Sequence, residues 1–314
     1  MNILLTGATG FLGNHLAKAL HSKQDVYLTA SARRYVKVEC SVLAEVPSLD
    51  ATTDWSGAVT NQDVIIHTAA RAHIMKDHVA DPLEEYRRVN VAGTLNLARQ
   101  AIQAGVKRFI FISSIKVNGE QTPIGLPFNA DDTPSPDDAY SISKWEAEKG
   151  LQQLSLDTGI EIVIIRPPLI YGPGVKGNFA SIIKLVSMGL PLPLGAILNQ
   201  RSLVGLDNMV DLIITCIDHP AAANQIFLAG DGHDLTTTDL LRGVARAMGK
   251  PLWLIPVPET LLVRGATLLG KKAVAKRLLG SLQVDISKAR DLLGWEPPIP
   301  LEEGLRRCFQ FQGK

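Results

Sequence analysis

Short, wholly apolar segments alternate along this chain with longer stretches whose apolar residues recur every three or four positions. Asn2-Ile-Leu-Leu-Thr6 is the first short segment, and Phe11 to Leu20 follows it with helical spacing. Val26–Thr29, Asp63-Val-Ile-Ile-His67, Arg108-Phe-Ile-Phe-Ile112, Ile160-Glu-Ile-Val-Ile-Ile165 and Gln225–Leu228 repeat the strand-like kind. Tyr86–Ala104, Tyr140–Leu156 and Asn208–Ile217 repeat the helical kind. In the first of these, Val89, Ala92, Leu95, Leu97, Ala101 and Ile102 supply the apolar face, and Gly105 fits a helix stop. Continuous apolar strands rich in β-branched residues, separated by helices, predict an α/β fold with a doubly wound parallel sheet covered on both faces. After Tyr171 the texture changes. Gly172-Pro-Gly174, Pro191-Leu-Pro-Leu-Gly195 and the prolines from Pro251 to Pro258 punctuate loops. The expected division is a main domain of residues 1–171 plus 203–230 and a smaller lobe of residues 172–202 plus 231–314.

Between the first strand and the first helix lies Thr6-Gly7-Ala-Thr9-Gly10-Phe11-Leu12-Gly13. A Gly-x-x-Gly-x-x-Gly turn in that place lets the backbone approach a pyrophosphate and points amides from a positive helix terminus. Dinucleotide binding by Gly7, Thr9, Gly10, Phe11, Leu12 and Gly13 is the expectation. The end of the second strand bears on which dinucleotide. A carboxylate there would accept a ribose 2′-hydroxyl and repel a 2′-phosphate. Thr29-Ala-Ser-Ala-Arg33-Arg34 has no carboxylate and two guanidiniums, which suit a phosphate. NADP(H) is therefore favoured over NAD(H), with Arg33 as the discriminating residue.

In Ala139-Tyr140-Ser-Ile-Ser-Lys144, a spacing of four puts a phenol and an ammonium on one helix face. A free tyrosine titrates near ~10, too high for proton transfer at neutral pH, and a nearby cation lowers that value. Hydride transfer at a carbon bearing oxygen needs a proton moved on that oxygen. Tyr140 is the candidate acid/base, with Lys144 expected to lower its pKa and hold the nicotinamide ribose. Ser114, closing the strand Arg108–Ile112, is the candidate donor to the same oxygen.

Composition narrows the remaining classes. The 314 residues are 46% apolar, with a formal net charge of +1, which gives no electrostatic case for nucleic acid or an anionic membrane. Cys40, Cys216 and Cys308 are far apart and show no metal-ligand spacing. No apolar run reaches ~18 residues, so membrane insertion is not expected. The direct opening on a strand, without a signal pattern, makes a cytoplasmic protein the expectation.

The Gly-rich turn, Ser114 and the Tyr140/Lys144 pair together resemble the extended short-chain dehydrogenase/reductase family, in its nucleotide-sugar epimerase/dehydratase branch. The likeness continues through Ile65-Ile-His67-Thr68-Ala69-Ala70, Asn90-Val-Ala-Gly-Thr-Leu-Asn96, Arg166-Pro167-Pro-Leu-Ile-Tyr-Gly-Pro173 and Ile286-Ser-Lys-Ala-Arg-Asp-Leu-Leu-Gly-Trp295. It implies a Rossmann domain with a smaller substrate lobe, and often a dimer built from two helices per subunit. It also implies cofactor contacts at Leu49, Thr68, Ala69, Ala70, Tyr140, Lys144 and Pro167. By position, Asn178 and Arg201 match the family's contacts to a sugar-nucleotide diphosphate, with Arg277 as a second clamp. There are departures. Asn118-Gly119 stands where many epimerases of the branch carry Tyr-Gly, which would put an amide at the mouth of the site beside Lys116. Ser48 replaces the usual acidic residue near the adenine. Ile115 and Lys116 occupy the place of the dehydratase acid and base, so dehydration is disfavoured. The favoured reading is a reductase of UDP-linked 4-keto-6-deoxy-N-acetylhexosamines in bacterial polysaccharide precursor synthesis. The alternative is a UDP-glucose or UDP-N-acetylglucosamine 4-epimerase with tightly bound NAD. A non-catalytic NADP-sensing regulator is the remaining class, disfavoured by retention of all three catalytic residues.

Overall fold

The computed structural model describes residues 1–72, 81–268, 270, 275 and 278–310. Its centre is a seven-stranded parallel sheet in the order β3-β2-β1-β4-β5-β6-β9. The strands are β1 (Asn2–Thr6), β2 (Tyr27–Ala32), β3 (Val42–Glu45), β4 (Val64–His67), β5 (Arg108–Ile112), β6 (Glu161–Arg166) and β9 (Ile226–Leu228). Successive side chains on a strand point to opposite faces, and here both faces are buried. Ile3 and Leu5, Val64 and Ile66, Ile110 and Ile112, Val163 and Ile165 enter one core. Their neighbours Leu4, Ile65, Phe109, Phe111, Ile162 and Ile164 enter the other. Two cores on one sheet are why the strands read as unbroken apolar runs.

Helices close both faces. α1 (Phe11–His21) and α7 (Leu206–Asp218) cover the first core. The second is covered by α2 (Ser56–Val59), α4 (Thr94–Gln103) and α5 (Ala139–Thr158). The expected helix from Tyr86 to Ala104 is three pieces: α3 (Pro82–Tyr86), a π-helical stretch Arg87–Gly93, and α4. The short strand β3 was not anticipated. Only four residues long and at the sheet edge, it buries its apolar stretch Val42–Ala44 no better than partly.

A third core lies beyond β6. It packs α6 (Asn178–Ser187), α8 (Thr237–Ala247) and α11 (Leu301–Arg307) around a second sheet. That sheet holds β7 (Leu169–Tyr171), β8 (Arg201–Gly205) and β10 (Asp234–Leu235), in the order β10-β8-β7. The intervening α9 (Glu259–Leu268) and the late α10 (Ser287–Leu293) complete the described helices. Among the described residues no helix is long and apolar enough to cross a membrane, and no group of three or more metal-ligating side chains comes together.

Candidate active site

Every turn that carries candidate chemistry leaves the same edge of the large sheet, at the carboxyl ends of its parallel strands. β1 sits between β2 and β4, so the chain winds away from it in both directions, and ligands bind open α/β sheets where that happens. Gly7 follows β1, Thr68 to Ala70 follow β4, Ser113 and Ser114 follow β5, and Pro167 follows β6.

The Gly-rich turn is built for close approach. Gly7 has φ +75°, a conformation side chains rarely adopt, and a methyl there would stand 2.6 Å from Thr68 Oγ1 and 2.7 Å from the Ala69 nitrogen. A methyl on Gly13 would stand 2.1 Å from the Gly7 carbonyl oxygen. The Gly10 amide donates to the Gly7 carbonyl at 2.8 Å. Gly10 caps α1, which begins at Phe11 and Leu12, with no side-chain hydrogen bond and no acidic residue in the first turn. The helix terminus therefore keeps its amides and positive end for an outside anion, and the cradle fits a dinucleotide pyrophosphate. Thr9 is exposed beside this turn. Thr68 Oγ1 donates to the Thr6 carbonyl at 2.7 Å, fixing the loop that runs to Ala69 and the exposed Ala70. Leu49 lies under the π-helical stretch, where a methyl on Gly93 would come 2.9 Å from its carbonyl. The Pro167 carbonyl accepts from the Ile115 amide at 2.9 Å, tying β6 to the turn that carries Ser114. Arg33 and Arg34 are exposed just beyond β2. β2 itself ends without a carboxylate, but Glu45 on β3 stands in register with Ala32.

Tyr140 lies in the first turn of α5. Asp138 caps that helix by accepting from the Ser141 amide at 2.7 Å, while the Ser141 hydroxyl reaches back to the cap. This box, signalled by Asp138-x-x-Ser141, aims the phenol at Ser114, to which it is hydrogen-bonded. Tyr86 meets its ring edge-on, with centroids 6.0 Å apart. Lys144, one turn on and 1% exposed, lays its ammonium 3.9 Å from the centre of the Phe111 ring. The structure thus brings Ser114, Tyr140 and Lys144 to one place.

The expected electrostatics differ. Burial pushes the Tyr140 phenol above its ordinary value, the charges of Asp138 and Tyr86 push the same way, and the Ser114 hydrogen bond only partly offsets them. Burial also pushes Lys144 down to about 7, against the pull of Glu148. The group that lowers the phenol here is Ser114, with no contribution from the amine. The expectation that Lys144 lowers the phenol's pKa leaves out the desolvation of the amine itself. In the protein alone, the phenol is a proton donor.

The contacts of several residues quoted from the sequence were not evident from it. Asn90, 1% exposed in the π-helical stretch, accepts from the Arg71 amide at 2.8 Å and donates to the Ser143 hydroxyl at 3.0 Å, bracing α5 next to Lys144. His67 joins Thr6 Oγ1 at 2.7 Å to Thr94 Oγ1 at 3.0 Å, and burial, then the Lys144 charge, lowers it to about 3. It is a neutral strut. Lys116 forms an ion pair with Asp138. Burial pushes the Asp138 carboxyl up, but Lys116 and the Ser141 amide outweigh it and hold it below its ordinary value.

Asn118 is not at the mouth of the site. It is 3% exposed, donating to the Asn129 carbonyl at 2.9 Å and accepting from Arg166 Nη1 at 2.9 Å. Arg166 in turn grips Glu148, which also accepts from Ser113. The expected substrate contacts Asn178 and Arg201 sit on other elements. Asn178 is exposed at the start of α6. Arg201 is half-buried on β8, its Nη1 donating to the Gly280 carbonyl at 2.9 Å, and burial lowers its pKa. Arg277 lies outside the described residues.

Residues 3–230 match the model of the NAD dependent epimerase/dehydratase family. The chain belongs to this family. It is an NAD(P)-dependent enzyme of the extended short-chain dehydrogenase/reductase type. A UDP-glucose 4-epimerase of Vibrio cholerae is 53% identical over 98% of the chain and 94% of the relative. The N-acetyl-alpha-D-glucosaminyl-diphospho-ditrans,octacis-undecaprenol 4-epimerase of Escherichia coli O157:H7 is 28% identical over 99% of the chain and 95% of the relative. Among solved structures, the UDP-N-acetylglucosamine 4-epimerase of Bacillus cereus superposes with a TM-score of 0.79 at 19% identity, covering 98% of this chain and 97% of that one. RMD of Pseudomonas aeruginosa, complexed with NADPH, gives 0.75 at 21%, covering 98% of each chain. These two likenesses establish the fold.

Proposed function

We propose that the enzyme is a 4-epimerase of a UDP-hexose or UDP-N-acetylhexosamine, retaining NAD through turnover. The observation that carries this is the 53% identity, over nearly the whole of both chains, to a UDP-glucose 4-epimerase. It favours the epimerase over the 4-keto reductase that the sequence alone put first. When bound, the dinucleotide supplies a hydride acceptor and donor, with a positive ring charge in its oxidised form. The Gly7–Gly13 turn, Leu49, Thr68 to Ala70, Lys144 and Pro167 would hold it. Tyr140 takes the proton of the C4 hydroxyl as that carbon is oxidised and returns it after the sugar has presented its other face. Ser114 donates to the same oxygen and keeps the phenol aimed. Asn178 and Arg201, in the lobe of residues 172–202 plus 231–314, would steady the diphosphate, and Arg277 keeps the role its sequence position suggests.

The reductase remains the second reading on one observation. Arg33 and Arg34 follow β2, which ends without a carboxylate, and that suits a 2′-phosphate. Two incubations separate the readings. The epimerase interconverts UDP-glucose and UDP-galactose, or their N-acetylamino forms, with no added cofactor. A protein that leaves these unchanged, yet consumes NADPH with a UDP-linked 4-keto-6-deoxy sugar, is the reductase and ends the epimerase proposal.

A further inference from the structure

Among the described residues, one ion pair is buried at both ends: Arg166 with Glu148, 2% and 1% exposed. Arg108 is buried too, but its partner Glu161 is 41% exposed, and its guanidinium also caps α7 by donating to the Cys216 carbonyl at 2.8 Å. Burying two charges costs nearly as much as their attraction returns, so such a pair adds little stability over apolar side chains of the same shape. What the pair does add is fixed geometry.

That geometry lies directly behind the reacting groups. Glu148 stands one turn beyond Lys144 and two beyond Tyr140, so α5 carries all three on one stripe. Its Oε1 accepts from the hydroxyl of Ser113, the chain neighbour of Ser114. Arg166, the last residue of β6, donates from Nη2 to Glu148 Oε2 at 2.5 Å and from Nε to both carboxylate oxygens, at 3.1 and 3.2 Å. Its Nη1 donates to Asn118 Oδ1 at 2.9 Å, at the far end of the short helical turn Ile115–Val117 that Ser114 caps. The backbone supports the same clamp: the Ser113 amide donates to the Ile165 carbonyl at 2.8 Å, and the Ile115 amide to the Pro167 carbonyl at 2.9 Å. One carboxylate thus joins the turn that carries Ser114 to the helix that carries Tyr140 and Lys144.

We propose that Glu148, locked by Arg166, is a positioning residue of the reaction: it holds Ser114 against Tyr140 and keeps a negative charge one turn from the Lys144 ammonium. This rests on the proposed hydride transfer at the sugar C4 and holds for epimerase and reductase alike. Among the described residues, the titratable groups facing Lys144 are Tyr140 and Glu148 on its own helix and His67 on β4, with the uncharged Phe111 ring on β5. Burial keeps His67 neutral, so Glu148 is the charge that opposes the desolvation of the amine. Glu148→Gln and Arg166→Met break the same ion pair but push the amine in opposite directions. The first leaves an uncompensated cation, and Lys144 gives up its proton at lower pH; the second leaves an uncompensated anion, and Lys144 keeps it to higher pH. A pair that served stability alone would give both variants one phenotype.

The test is titration of Lys144 in nucleotide-stripped protein carrying isotope-labelled lysine, followed by nuclear magnetic resonance and assigned with Lys144→Met, alongside steady-state turnover. Relative to the wild type, the midpoint falls by about one pH unit in Glu148→Gln and rises in Arg166→Met. In Glu148→Gln kcat drops at least about ten-fold while KM stays within about two-fold, because no group that would hold the sugar-nucleotide is changed. If that variant fails to fold, Glu148→Gln combined with Arg166→Met, which buries no unpaired charge, still puts both the midpoint and kcat below the wild type. Midpoints that move together or stay put, or a wild-type kcat in either Glu148 variant, overturn the inference. A wild-type enzyme inert towards UDP-hexoses and 4-keto sugars alike ends the proposed reaction instead, and the midpoints, which need no substrate, then decide whether Glu148 governs Lys144.

Discussion

Replacing Lys144 by Met is expected to stabilise the nucleotide-free protein while abolishing turnover. The ammonium is 1% exposed, and burial lowers its pKa from 10.5 to about 7. A group whose folded pKa lies below its unfolded value makes the unfolded state bind the extra proton. The resulting penalty is absent above pH 10.5, grows as the pH falls, and is complete below about pH 7. The full span corresponds to roughly 5 kcal/mol, at about 1.4 kcal/mol per unit. The contact with the Phe111 ring returns about 1–2 kcal/mol to the charged form. Methionine keeps the unbranched stem and its packing. Urea unfolding of charcoal-stripped protein should therefore show the variant ahead by about 3 kcal/mol near about pH 6.5, and by about 1 kcal/mol or less near about pH 9.5. A variant no more stable at either pH, or a gain that does not shrink as pH rises, refutes the claim that this lysine is held against its own solvation.

Tyr140→Phe should abolish epimerisation with the nucleotide still co-purifying; measurable turnover would remove the phenol from proton transfer. On the reductase reading, Arg33→Ala should weaken NADPH far more than NADH in titrations, and equal weakening rules that contact out. Glu148→Ala leaves the Arg166 guanidinium, 2% exposed, with its Asn118 contact and no counter-charge; the cost should be about 3–5 kcal/mol in urea unfolding, and a loss below about 1 kcal/mol would show the pair to be solvated. Lys116→Met frees the Asp138 carboxylate beside the phenol, which disfavours phenolate, so the limb of the pH–rate profile set by Tyr140 should move to higher pH; an unmoved limb with a raised KM would make Lys116 a substrate contact instead.

The parallel sheet was legible because each strand faces two cores and writes that burial into consecutive residues. The Gly-rich turn was legible because tight turns admit few residue types, and the Tyr140 helix because its phenol and amine stand one turn apart. What escaped has physical reasons too. β3 is a four-residue edge strand that buries little, so its short apolar stretch, Val42–Ala44, does not stand out. The π-helical stretch of Arg87–Gly93 has the composition of the α-helix around it, and only the bonds of Asn90 to Arg71 and Ser143 reveal why the widened turn sits there. The family pattern puts Asn118 at the mouth, but Arg166, 48 residues on, draws it inward.

The Tyr140/Lys144 pair shows the limit most clearly. Spacing states that two groups share a face; it says nothing of the dielectric they share. Here the packing that aligns phenol and amine buries the amine and leaves the phenol partly exposed, and desolvation makes the phenol a weaker acid and the amine a weaker base. Each is nearer neutrality than sequence logic allows, and neither stabilises the charge of the other. A bound oxidised dinucleotide would bring positive charge into this pocket, lowering the phenol just when it must accept a proton. Reduction of that ring would remove the charge and restore a phenol able to donate. A proton carrier biased in this way suits a reaction that runs forward and back over one sugar carbon, because its acidity follows the redox state rather than the pH.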